Sequence, residues 1–154
     1  MPAAGLAGSR CAGLLLLPLA AGAAMALRIL ERGETWNDRT HALIAIAMIG
    51  GLGGALAALA LEYPLRRTRL RRAIAALLGF PAGFVPAMGL AFVAEILFIS
   101  GHFEAVAEHG LRMMLFSAAQ SFGLFLISAP AYLLPWPLPA LTGLALALRS
   151  RRDG

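Results

Sequence analysis

The stretch HALIAIAMIGGLGGALAALALEY, residues 41–63, carries a single charged side chain, Glu62. An α-helix rising ~1.5 Å per residue crosses a hydrocarbon core of ~30 Å in about 20 residues, so this stretch has the length and composition of a membrane span. The rest of the chain repeats the pattern. CAGLLLLPLAAGAAMALRIL covers 11–30, AIAALLGFPAGFVPAMGLAFVAEILFIS covers 73–100, and a further run containing MMLFSAAQSFGLFLISAPAYLL covers 111–134. Hydrophobic residues make up 60% of the 154 and charged residues 14%, with a mean hydropathy of +0.78. A soluble domain needs more polar surface than this to cover its core. The sequence therefore predicts an all-α integral membrane protein, a single domain over 1–154 with four transmembrane helices. After the alternating Pro135, Pro137 and Pro139, residues 140–149 are too few to span and are expected to form a short interfacial helix.

The first span competes with a cleaved signal peptide, because Ala24-Met25-Ala26 resembles a cleavage site. The apolar run continues past that triplet to Leu30, which favours a span. Orientation follows from arginine in the short links. PLRRTRLRR, 64–72, carries five arginines (Arg66, Arg67, Arg69, Arg71 and Arg72) and no acid. Arg10 and the tail RSRRDG add to the same side, whereas ERGETWNDRT, 31–40, and GHFEAVAEHG, 101–110, are the acidic links. Both termini are thus expected in the cytoplasm of a bacterial cell, with the protein in the inner membrane. The five arginines suit anionic lipid headgroups on that side. Nucleic acid would need a lipid-free surface with aromatic readers, and none is visible.

Signatures of catalysis or cofactor binding are missing from the sequence: no Walker loop, nucleophile elbow, His-Glu-x-x-His or haem-attachment pair occurs, so no cofactor is expected. The lone Cys11 allows neither an internal disulfide nor a cysteine metal site. GGLGG, with Gly50, Gly51, Gly53 and Gly54, lies in mid-span without a strand before it or Lys-Ser/Thr after it. Close helix packing accounts for it better than phosphate binding. Glu95 lies about two turns inside the outer end of span three, where an ionised acid is costly. It is expected to be protonated, paired or open to water. Ser117, Gln120 and Ser121 of span four lie at similar depth, and a hydrogen bond from Gln120 or a serine is the expected tie. The other reading is a carboxylate that carries protons or cations. Pro81 and Pro86 break backbone bonding in span three and suit either a kinked, well-packed helix or a transport site. His102, Glu104, Glu108 and His109 form an acidic external rim that would bind a divalent metal only with help from the other acidic link.

These features lead to a small non-catalytic membrane protein acting as an accessory or assembly subunit, with other membrane subunits or its own copies as partners. A small proton- or cation-coupled transporter working as an oligomer around Glu95 is the alternative. In architecture the chain is similar to small four-span proton-coupled drug exporters. In those the essential acid lies in the first span, whereas here the first span has no acid before Glu31.

Overall fold

The computed structural model describes residues 3–63, 68–99 and 102–150, with the side chains of 13–63, 68, 70–99 and 110–149. Five helices follow one another: α1 (Ala3–Glu31), α2 (Asp38–Glu62), α3 (Arg69–Ile99), α4 (His102–Leu133) and α5 (Pro137–Ser150). Four of them contain stretches long and apolar enough to cross a membrane, Gly13–Glu31, Asp38–Glu62, Leu70–Ile99 and Gly110–Leu133. The chain is an all-α, multi-pass membrane protein with a shorter fifth helix.

The helix boundaries have local causes. Asn37 caps α2: its side chain accepts from the Thr40 N–H, and the Thr40 hydroxyl accepts from the Asn37 N–H, two otherwise orphaned donors satisfied at once. Thr68 does the same work at α3, its hydroxyl accepting from the Arg71 N–H. Gly110, at φ 77°, breaks α4 into a short helix over 102–109 and the long apolar one. That conformation is costly for residues with a Cβ and open to glycine. α3 remains a single helix through Pro81 and Pro86, with Phe80 and Phe84 fully buried around them.

Packing centres on α2, which lies between α1 and α3. Gly50, Gly53 and Gly54 meet α3: a Cβ on Gly54 would sit 2.9 Å from the Phe80 carbonyl oxygen, and one on Gly83 would collide with the Gly53 carbonyl. Gly51 meets α1 instead, where a Cβ would sit 2.8 Å from the Leu17 carbonyl and the Pro18 Cα. The two sides of GGLGG thus admit two different helices. In lipid, where apolar surfaces gain nothing from leaving water, such backbone approach is the main source of helix association. The pairings Gly22 with Met48 and Gly51 with Leu17 make α1 and α2 antiparallel; Gly50 with Met88 and Ala58 with Gly79 do the same for α2 and α3.

The second half of the chain departs from simple up-and-down alternation. Phe122 and Phe125 of α4 pack on Gly89 of α3, and the carbonyls of Ala131 and Leu134 accept hydrogen bonds from Arg28. α4 therefore ends at the end of the bundle where α1 finishes and α2 begins. It is α5 that returns the chain to the other end, where Arg149 meets Ala58 and Glu62. Pro137 and Pro139 open this helix rather than preceding it, because the first turn is where a missing N–H costs nothing. The flat interfacial placement expected for 140–149 is corrected accordingly: Leu141 and Ala145 are buried in the bundle, and α5 faces Leu77 and Pro81 of α3 across a shallow cavity.

The glycine seam yields a direct test. Gly83→Leu should destabilise the detergent-solubilised protein by about 1–3 kcal/mol through overpacking. Gly143→Leu, at a position with open space beyond the backbone, should leave the thermal midpoint within a degree or two. Equal effects of the two substitutions would refute close α2–α3 contact.

Candidate functional site

The richest concentration of polar chemistry lies where α1, α2 and α4 meet. Its origin is proline. In an α-helix the Ala131 carbonyl would accept from the N–H four residues on, but that residue is Pro135, which has none. In an apolar setting an orphaned carbonyl costs several kcal/mol. Arg28, three residues before the end of the α1 span, donates through Nη2 to Ala131 at 3.2 Å and to Leu134 at 3.0 Å. Its Nη1 bonds the Glu31 carboxylate at 3.0 Å, and Trp136 Nε1 donates to the same oxygen at 3.0 Å. One arginine therefore links the ends of α1 and α4 and the turn into α5.

A second set lies beside it. Arg32 donates through Nε to Glu34 at 2.9 Å, and the Tyr132 hydroxyl donates to the same carboxylate oxygen at 3.1 Å. The Arg32 guanidinium also sits 4.7 Å above the Tyr132 ring, a cation–π contact. Next to this set opens a cavity of about 280 Å³, lined by Arg32 and Arg39 together with Leu43, Met88, Phe92 and Phe125. Ser128, whose hydroxyl bonds the Leu124 carbonyl at 2.9 Å, also reaches it.

The residues singled out in the sequence fall around this site unevenly. Glu95 is half-buried on α3, and the charge that acts on it is Arg39 of α2. The expected tie to α4 is absent: among the described residues no hydrogen bond joins Glu95 to Ser117, Gln120 or Ser121. Contact between α3 and α4 runs through Phe122 and Phe125 instead. Ser121 is buried beside them, Ser117 is half-buried and Gln120 is exposed. The four glycines lie in the α2 seam, away from the cavity. Of the Arg-rich link, Arg71 is exposed and Arg72 half-buried, while Arg66, Arg67 and the Arg69 side chain lie outside the described residues. The side chains of His102, Glu104, Glu108 and His109 also lie outside them. The helical backbone there places Glu104 and Glu108 one turn apart. No group of three metal-ligating side chains occurs among the described residues.

Sequence reasoning passed over Arg28, Arg32 and Tyr132. Arg28 reads as a snorkelling arginine near a span end, and Tyr132 as an interfacial belt residue. The usable signal was the Ala131-to-Pro135 spacing, which announces a carbonyl in need of a donor.

Comparison of the chain with protein-family models, curated proteins and solved structures finds no match to any of them.

Arg28→Met keeps the apolar stem and removes both bonds to the α4 end. It should lower stability by on the order of 2 kcal/mol, the usual worth of hydrogen bonds from a charged donor. It should also shift Trp136 fluorescence, because Glu31 loses the arginine that holds it. An unchanged emission maximum and midpoint would show that Arg28 does not tie these ends together.

Proposed function

We propose that this protein is a small non-catalytic subunit of a bacterial inner-membrane complex, multi-pass with both termini in the cytoplasm. The observation that carries the reading is α4. Only 17% of its span is buried inside the protein, against 39% for α2. Leu115, Phe116 and Ile127 are 60%, 70% and 80% exposed, and the polar Gln120 lies exposed among them. Lipid chains can face the apolar side chains but cannot hydrogen-bond an amide, so a primary amide on that apolar face calls for a polar partner on another helix. A second subunit or another copy of this chain supplies one. The bundle itself rests on glycine contacts and end clamps, the construction of a scaffold.

The transporter reading gives Glu95 the central role. Among the described residues no hydrogen bond joins Glu95 to the polar side chains of α4, so the coupled polar path that the transporter reading needs has no support and the subunit reading stands first. The Arg-rich link would then hold the cytoplasmic face to anionic headgroups.

Protein extracted in a mild detergent from its native membrane should run by native mass as a stoichiometric assembly. Gln120→Leu should release the partner, leaving the isolated chain equally stable because the side chain makes no internal contact of note. A monomer in every mild detergent tested, before and after the substitution, would contradict the proposal.

A further inference from the structure

We infer that the cavity between α2, α3 and α4 holds an anionic phospholipid, its phosphate at Arg39 and the upper part of an acyl chain against Leu43, Met88 and Phe125. This goes beyond the subunit reading and does not depend on it.

The walls of the cavity carry the argument. On α2, Arg39 lies in the first turn and Leu43 one turn deeper; Met88 of α3 lies deeper still, at the level of Gly50. On α4, Phe125 sits by Phe92, Ser128 follows one turn on, and Tyr132 stands beside Arg32 at the helix end. Two walls from different helices therefore grade in the same direction, from apolar inside to cationic and hydroxylic at the bundle end. That gradient matches an amphiphile entering along the bundle axis. It does not match a free ion, which would gain nothing from the apolar floor, or a zwitterionic lipid, whose headgroup cation would be set against Arg39 and Arg32.

The two arginines differ in availability. Arg32 is committed to Glu34 and stacked on Tyr132. Arg39 makes no hydrogen bond among the described residues, and its planar donor fork suits a phosphate. Glu95, within electrostatic reach of Arg39, is the opposing charge and would compete with the headgroup. A volume of about 280 Å³ lies at the small end of ligand pockets, enough for part of one chain with the remainder in the bilayer. The site sits at the end of the bundle away from the Arg-rich link, so it differs from headgroup attraction by those five arginines.

The test is native mass spectrometry of the full chain in a mild nonionic detergent, titrated with dioleoylphosphatidylglycerol or dioleoylphosphatidylcholine. One phosphatidylglycerol should remain bound at activation energies that strip phosphatidylcholine. Arg39→Gln should weaken it about tenfold, the worth of one charge-assisted contact, while Arg71→Gln leaves it unchanged. Glu95→Gln should tighten binding several-fold by removing the competitor. Leu43→Trp, which fills the cavity from the apolar end, should weaken binding with Arg39 intact. Inorganic phosphate at millimolar concentration should not displace the lipid. Equal retention of both lipids, indifference to Arg39→Gln and Leu43→Trp, or displacement by phosphate alone would each overturn the assignment.

Discussion

The carbonyl of Ala131 has no helical donor because the residue four positions on is Pro135, and the membrane offers no water to replace it. Arg28 answers that need at 3.2 Å, together with the Leu134 carbonyl at 3.0 Å. Much of the chain's second half follows from this. A helix whose end is clamped beside the end of α1 cannot return the chain to the end from which α1 began. α5 therefore makes that return, and α4 meets α3 through Phe122 and Phe125. α4 is left thinly covered, and the cavity lies beside its C-terminal half.

Two arginine clamps thus bracket the molecule. At one end Arg28 gathers α1, α4 and the α4–α5 turn. At the other, Arg149 donates to the Ala58 carbonyl at 2.7 Å and pairs with Glu62 at 3.2 Å, both side chains largely buried at 10% and 14% exposure. Such a pair is costly to assemble and more costly to break, since removal of either partner leaves a buried charge. Its value here is geometric, because it fixes the end of α5 against the end of α2. Between the clamps the glycine seam of α2 supplies close packing on two sides. Directional bonds at the ends and backbone contact in the middle are the two forces that still work where the hydrophobic effect does not.

Much of this was legible in the sequence, and the limits have physical causes. Four spans and a short last helix follow from apolar run length, which the bilayer thickness makes nearly unambiguous. GGLGG signalled close packing because only glycine admits a neighbouring backbone, although which helix met which glycine depends on rotation about the axis. The placement of α5 was not legible: a short apolar helix with a terminal arginine suits the interface and the bundle equally until Glu62 is known to be near. Glu95 shows the same limit. Depth along the span was readable, so a partner at equal depth could be sought. But no side chain of α4 bonds it among the described residues, and the charge that reaches it came from Arg39 on α2. The Arg28 clamp could have been anticipated from an X-Pro spacing, whereas its donor, about a hundred residues earlier, could not.

The central claim is that α4 ends beside the end of α1. In a Cys11→Ala background, spin labels placed at the exposed positions Thr35, Thr68 and Ala131 can be measured in pairs by double electron–electron resonance. Thr35 and Thr68 flank α2, whose 25 residues separate them by about 37 Å at ~1.5 Å per residue. The 35–131 distance should be the short one and the 68–131 distance the long one, differing by on the order of 20 Å for a label near one end of that helix. The reverse order would mean that α4 runs to the other end of the bundle, and the account of the clamp, the cavity and α5 would fall with it.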